Sequence, residues 1–191
     1  MESIKIIKIG GNIINNDSEL QSFLQTFSTI PGKKILIHGG GVLATQLAEQ
    51  IGIHQEMIEG RRVTDSATLK IITMVYAGYI NKKIVAQLQH LHCDAIGICG
   101  ADGHIIEAHK RISKIDYGFV GDVNKINTQK LNQLITNFDT VVIAPVTLDN
   151  NGQLLNTNAD TIAQEIAKSL SNNYQTALYY CFEKQGVLMN I

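Results

Sequence analysis

The sequence predicts an α/β fold built around a mainly parallel sheet, and two observations carry this. Strand, glycine turn and helix follow one another twice. Ile4 to Ile9 runs into Gly10-Gly11 and a helical stretch, and Lys34 to Ile37 runs into Gly39-Gly40-Gly41 and another. Later apolar runs, Ala95 to Ile98 and Thr140 to Ala144, are continuous rather than alternating, as strands covered on both faces are.

In chain order, Asn16-Asp17-Ser18 offers caps for a helix carrying Leu20, Phe23, Leu24 and Phe27, which Pro31-Gly32 stops. The helix after the triple glycine runs to about Gln50. His54 to Ile58 and Arg61-Arg62-Val63 read as a hairpin turning at Glu59-Gly60. Thr64 or Asp65 then caps the longest helical stretch, to about Leu91. Its first half is apolar all round, which buries it on two sides, so its outer face is expected to be a dimer interface. Ile105 to Lys110 and Gly118 to Val123 look like arms of an irregular β segment. Leu131 to Phe138 is helical, Pro145 closes the strand at Thr140 to Ala144, and Asp149 to Gly152 is turn chemistry. Thr157 or Asn158 caps a last helix through Leu170. Thr176 to Tyr180 is a last strand, and Gly186 a last turn.

Composition excludes several classes. With 191 residues, 45% apolar and 17% charged, the chain is an ordinary globular domain. A net charge of −1 argues against nucleic acid or an anionic membrane as partner, so any anion site is local. No apolar run is long enough for a membrane helix, and no signal peptide pattern opens the chain. Cys93, Cys99 and Cys181 form neither a disulfide frame nor a zinc knuckle, and a reducing cytoplasm is expected. His90-x-His92-Cys93 places residues two apart on a helix, on different faces, which makes a poor metal site.

The chemistry-bearing stretches point to an anionic ligand. Lys8 stands at the carboxyl end of the first strand beside Gly10-Gly11, where ligands bind in open α/β sheets. A lysine there can neutralise a phosphate cradled by glycine amides, although a surface lysine beside a tight turn explains the same pattern. Gly39-Gly40-Gly41 removes every Cβ before a helix start, which suits a carboxylate or phosphate. Arg62 can grip a carboxylate through two parallel hydrogen bonds. Asn156-Thr157-Asn158-Ala159-Asp160 gathers more polar groups at a helix N-terminus than capping needs. Neither a P-loop nor a G-x-G-x-x-G is present.

Taken in order, Lys8-x-Gly10-Gly11, His38-Gly39-Gly40-Gly41, Gly60-Arg61-Arg62-Val63-Thr64-Asp65, Gly100-x-Asp102-Gly103, Val120-Gly121-Asp122-Val123 and Leu155-Asn156-Thr157-Asn158-Ala159-Asp160 resemble the acetylglutamate kinases of the amino acid kinase family. The resemblance covers essentially all residues. It implies a three-layer αβα sandwich in one domain. Roughly residues 1–170 would form an acylglutamate-binding and dimerisation lobe, and 171–191 the start of a nucleotide-binding lobe. It implies ATP-dependent phosphorylation of the γ-carboxylate of N-acetyl-L-glutamate or a related N-acylglutamate in arginine biosynthesis, with Mg²⁺ held by the nucleotide phosphates. Lys8 would stabilise the transferring phosphoryl group, with Asp160 holding it in place, and Gly10 and Gly11 would face the nucleotide phosphates. Gly40, Gly41, Arg62 and Asn156 would bind the substrate.

Family members continue for several tens of residues beyond this end point, with much of the adenine site and a second catalytic lysine. The fold is therefore expected to be incomplete at its C-terminus, and the 191 residues alone inactive. Cys181-Phe182-Glu183-Lys184 departs from the family's usual Thr-Asp-Val-like segment. The first strand begins at once, without the N-terminal helix of arginine-inhibited hexameric members, so a homodimer through Ala67–Leu88 without arginine feedback is expected. A succinyl group would ask for another cation, for which Arg61 and Lys110 are candidates. The competing readings are another amino acid kinase, and a catalytically silent small-anion-binding module.

Overall fold

The computed structural model describes residues 1–182, so the expectations for Glu183, Lys184 and Gly186 lie outside the described residues. The chain opens with β1 (Ser3–Ile9), α1 (Gly11–Asn15), α2 (Asp17–Ser28), β2 (Lys33–His38) and α3 (Gly41–Gln50). A small hairpin of β3 (Met57–Ile58) and β4 (Arg61–Arg62) leads into α4 (Ser66–Ile72), a π-helical segment (Thr73–Ile80) and α5 (Asn81–His90). Then come β5 (Ala95–Cys99), β6 (Ile106–Lys110), β7 (Val120–Ile126) and α6 (Thr128–Asn137). The remainder is β8 (Thr140–Ala144), β9 (Val146–Leu148), β10 (Leu154–Thr157), α7 (Ala159–Leu170) and β11 (Gln175–Cys181).

Five strands form one sheet in the order β11-β1-β2-β8-β5, every pair parallel. Side chains alternate across a strand, so each strand feeds two cores. Ile7, Ile9 and Leu36 join residues of α2, of α3 and of the long helix on one face. Ile4, Ile6, Ile35 and Ile37 join residues of α6 and α7 on the other. Helices therefore cover both faces, and the αβα sandwich with a mainly parallel sheet is the observed architecture. No helix among the described residues is long and apolar enough to cross a membrane.

Caps fall where polar side chains can take the unpaired N–H groups of a first turn. Asn16 accepts from Ser18 and Glu19, Asp65 from Thr68, and Asn158 from Asp160 and Thr161. Three features differ from the sequence reading. The long helix is interrupted by the π segment, whose wider turn leaves Met74 and Tyr79 outside and seats Val75, Tyr76 and Ile80 inside. The Gly10-Gly11 turn is not an open nest, because Gly10 donates its N–H to the Cys181 carbonyl at 3.1 Å and Gly11 already opens α1. Finally, β6, β7, β9 and β10 close into a small barrel, with β9 starting directly after Pro145. Asn156 therefore lies on a strand rather than in a helix N-terminus, and its N–H donates to the Phe119 carbonyl at 2.8 Å.

Candidate active site

The strands β1 and β2 end side by side, with Ile9 opposite His38. From β1 the sheet extends to β2 on one side and β11 on the other, the kind of switch point where a crevice opens beyond the carboxyl ends. The two glycine turns touch there, as Gly39 donates its N–H to the Ile9 carbonyl at 3.3 Å. Alternation along β1 puts Lys8 on the same face as Ile4 and Ile6, the face that α7 covers. Asp160, in the first turn of α7, meets it with Nζ to Oδ1 at 2.8 Å. The Lys8 side chain is 16% exposed and that of Asp160 51%, so the pair is open on the cleft side only in part.

Gly40 holds the loop close to the long helix. Its φ is +154°, and a Cβ there would lie 2.4 Å from Ile80 Cδ1 and 2.9 Å from Tyr76 Cδ1. Only glycine lets the backbone pass this close. Gly41 begins α3, and its carbonyl accepts from Arg62 at 2.9 Å. The same guanidinium donates to Thr45 Oγ1 at 2.8 Å and to Gln55 Oε1. These three acceptors are neutral, so they orient Arg62 without cancelling its charge. Asn156 donates from Nδ2 to Thr64 Oγ1 at 3.0 Å.

Lys8, Gly11, Gly40, Gly41, Arg62, Asn156 and Asp160 all line one cleft of about 530 Å³. Of the expected site residues only Gly10 stays out of the lining. Sequence reasoning did not anticipate Tyr76 and Arg111, which also line it. Tyr76 was hidden in the apolar stripe of the long helix. Burial pushes its hydroxyl above the usual tyrosine range, with Arg62 opposing. Arg111 is held by Asp122 through Nε at 3.1 and 3.2 Å, a fork that only the pairing of β6 with β7 creates. Arg61 lines the cleft, whereas Lys110 pairs with Asp116 at 3.1 Å and does not.

Four cations and one carboxylate, Asp160, thus line the cleft of a chain whose net charge is −1. Such an imbalance attracts a ligand with several negative charges. Among the described residues no group of three His, Cys, Asp or Glu side chains could hold a metal ion. Asp160 is engaged by Lys8. The lining thus offers a metal ion one carboxylate, and that one is already paired.

Beneath the glycine loop lies a buried polar group that sequence reading treated only as part of a motif. His38 is fully buried, its Nδ1 is 2.8 Å from the Gly39 carbonyl, and its Nε2 is 3.4 Å from Asn81 Nδ2. Burial lowers its pKa to about 4, with Lys82 helping and the Gly39 bond opposing. An unfolded chain binds the proton near pH 6.5, the folded one only near pH 4. Stability from this residue is therefore complete above pH 6.5 and declines as pH falls, by about 3 kcal/mol at pH 4. Urea unfolding between pH 7 and 4.5 should show this slope. His38→Asn, which keeps a donor for Gly39, should flatten it.

The amino acid kinase family pattern matches residues 3–190. The chain belongs to the amino acid kinase family. This amino acid kinase is 53% identical over 190 residues to the acetylglutamate kinase of Cytophaga hutchinsonii, covering 98% of the chain and 72% of that relative. It is 49% identical over 191 residues to the acetylglutamate kinase of Parabacteroides distasonis, covering 100% of the chain and 75% of the relative. Among solved structures, a protein of Streptococcus mutans UA159 superposes with a TM-score of 0.82 at 25% identity, covering 100% of this chain and 76% of that one. N-acetylglutamate synthase from Neisseria gonorrhoeae, complexed with coenzyme A and N-acetyl-glutamate, gives 0.79 at 21% identity, covering 97% and 42%. The latter likeness concerns the fold alone.

Proposed function

We propose that this amino acid kinase transfers the γ-phosphoryl group of ATP to the γ-carboxylate of N-acetyl-L-glutamate, or of a related N-acylglutamate, in arginine biosynthesis. The observation that carries the reading is the meeting, in one cleft, of the Lys8–Asp160 pair with Gly40, Gly41, Arg62 and Asn156. The names of the relatives support the choice of substrate.

A carboxylate is already nucleophilic at neutral pH, so no general base is required. Phosphoryl transfer asks chiefly for in-line positioning and for neutralisation of charge on the transferring oxygens. The Lys8 ammonium supplies a positive charge, and Asp160 holds it in place. Arg62, oriented by neutral acceptors, grips a substrate carboxylate. The Gly40-Gly41 backbone and Asn156 hold the rest of the acylglutamate, and Gly11 faces the nucleotide phosphates. Magnesium, bound to ATP, would neutralise phosphate charge.

The test is an acyl-phosphate assay on the full-length protein, with ATP, hydroxylamine as trap, and N-acetyl- or N-succinyl-glutamate as acceptor. Hydroxamate from either supports the reading, and its absence with both overturns it. Repeating it on Arg61→Ala with N-succinyl-glutamate asks whether Arg61, at the cleft wall, serves a second acyl carboxylate.

We also propose that the chain pairs with a second copy through the long helix. Met74 and Tyr79 are 56% and 59% exposed and flank an apolar depression with Leu43, Leu47 and Val75. Sedimentation should give a dimer mass. A hexamer, or inhibition by millimolar arginine, would count against the dimer without feedback.

A further inference from the structure

Thr64 follows β4, is fully buried, and stands outside the lining of the cleft. Its backbone groups go to the segment before β7, and its hydroxyl goes to two residues assigned to the substrate. Its N–H donates to the Tyr117 carbonyl at 2.9 Å, and its own carbonyl accepts from Phe119 at 2.6 Å. Phe119 in turn accepts from the backbone of Asn156 at 2.8 Å. The Thr64 hydroxyl donates to the Arg62 carbonyl at 3.3 Å and accepts from Asn156 Nδ2 at 3.0 Å. The hairpin of Arg62 and the barrel strand of Asn156 are thus joined through one residue.

We propose that Thr64 is a positioning residue that sets substrate affinity by fixing Asn156 relative to Arg62. The inference rests on the reading of the cleft as an N-acylglutamate site. A hydroxyl carries one proton. With that proton directed at Arg62, the contact with Asn156 has the amide as donor, which fixes the rotation of the Asn156 side chain. The close approach is built into the backbone. At Gly118 φ is +71°, and a Cβ would lie 2.2 Å from the Thr64 carbonyl oxygen. Thr64 meets Gly118 in a parallel bridge, so the hairpin cannot slide along the barrel without breaking these bonds. The arrangement is too specific for a hairpin that merely covers the core.

The experiment measures calorimetric binding of N-acetyl-L-glutamate, and kcat and KM for it and for ATP, on full-length wild type, Thr64→Val, Thr64→Ser, Asn156→Ala and the Thr64→Val/Asn156→Ala double variant. Removing the buried hydroxyl should weaken N-acetyl-L-glutamate about tenfold, with kcat and the KM for ATP within about twofold. Thr64→Ser, which restores the hydroxyl, should recover most of the loss. In the Asn156→Ala background Thr64→Val should cost little more, because Thr64 acts through Asn156. Thermal melts of all variants identify any that fail to fold; if Thr64→Val does, Thr64→Ala, which also removes the hydroxyl, takes its place in the comparison with Thr64→Ser. Wild-type affinity in Thr64→Val, equal losses in the Val and Ser variants, or additive losses in the double variant would overturn the proposal alone. Failure of the wild type to bind N-acetyl-L-glutamate, and also N-succinyl-L-glutamate titrated in its place, would overturn it together with the proposed function.

Discussion

Lys8→Ala is expected to abolish phosphoryl transfer while leaving the fold standing. The two consequences separate because of where the pair sits. Asp160, the partner, has a half-exposed side chain, so losing the ammonium does not strand a buried charge. Asp160 also lies in the first turn of α7, where a negative charge is favourable on its own. The stability cost should therefore be below about 1 kcal/mol. Two of the three other cations that line the cleft are already held elsewhere. Arg62 is tied to Gly41, Thr45 and Gln55, and Arg111 to Asp122. Removing a donor aimed at developing charge costs about 10²–10³ in kcat or more. Steady-state kinetics beside a thermal melt decides it. A variant within tenfold of wild type would show that Lys8 does not face the transferring group. A loss matched by unfolding would show that its role is structural.

Gly40→Ala should be the most damaging single methyl group that can be added to the site. At φ +154° an alanine is strained, which costs about 1–3 kcal/mol. Its Cβ would also press on Ile80 Cδ1 at 2.4 Å and on the Tyr76 ring at 2.9 and 3.0 Å. Ile80 is buried in the core and the Tyr76 ring is rigid, so relief requires moving the loop or the π segment. Overpacking of this kind adds about 1–3 kcal/mol. For a domain of this size the melting temperature should fall by roughly 5–15 °C. Binding of N-acetyl-L-glutamate should fall as well, because the loop that moves carries the backbone groups assigned to it. Gly41→Ala is the control. Its Cβ would meet only Arg62 at 3.6 Å and the Tyr76 hydroxyl at 3.9 Å, so the fold should stand. Equal melting temperatures for Gly40→Ala and wild type would refute the close approach on which this argument depends.

What the sequence determined by itself is whatever short-range chemistry dictates. Runs such as Ile4 to Ile9 and Thr140 to Ala144 read as strands, and the caps were narrowed to Asn16-Asp17-Ser18, to Thr64 or Asp65, and to Thr157 or Asn158, of which Asn16, Asp65 and Asn158 accept the bonds. Lys8 and the glycine turns marked the carboxyl edge of the sheet, where the cleft opens. Tertiary structure alone decided the rest. Strands of three and four residues, such as β9 and β10, carry too little periodicity to be read, so the barrel and the true setting of Asn156 emerged only from pairing. The stretch that becomes the π segment is apolar all round, so no period in the sequence singles out Tyr76 as facing the cleft. Gly10 lost its N–H to Cys181, far along the chain, through the pairing of β1 with β11. Arg111 meets Asp122 only once β6 pairs with β7, and Thr64 meets Phe119 and Asn156 only once segments far apart in sequence come together. Hydrophobic pattern is a local property, whereas the convergence of polar groups on a cleft is decided by which strands become neighbours.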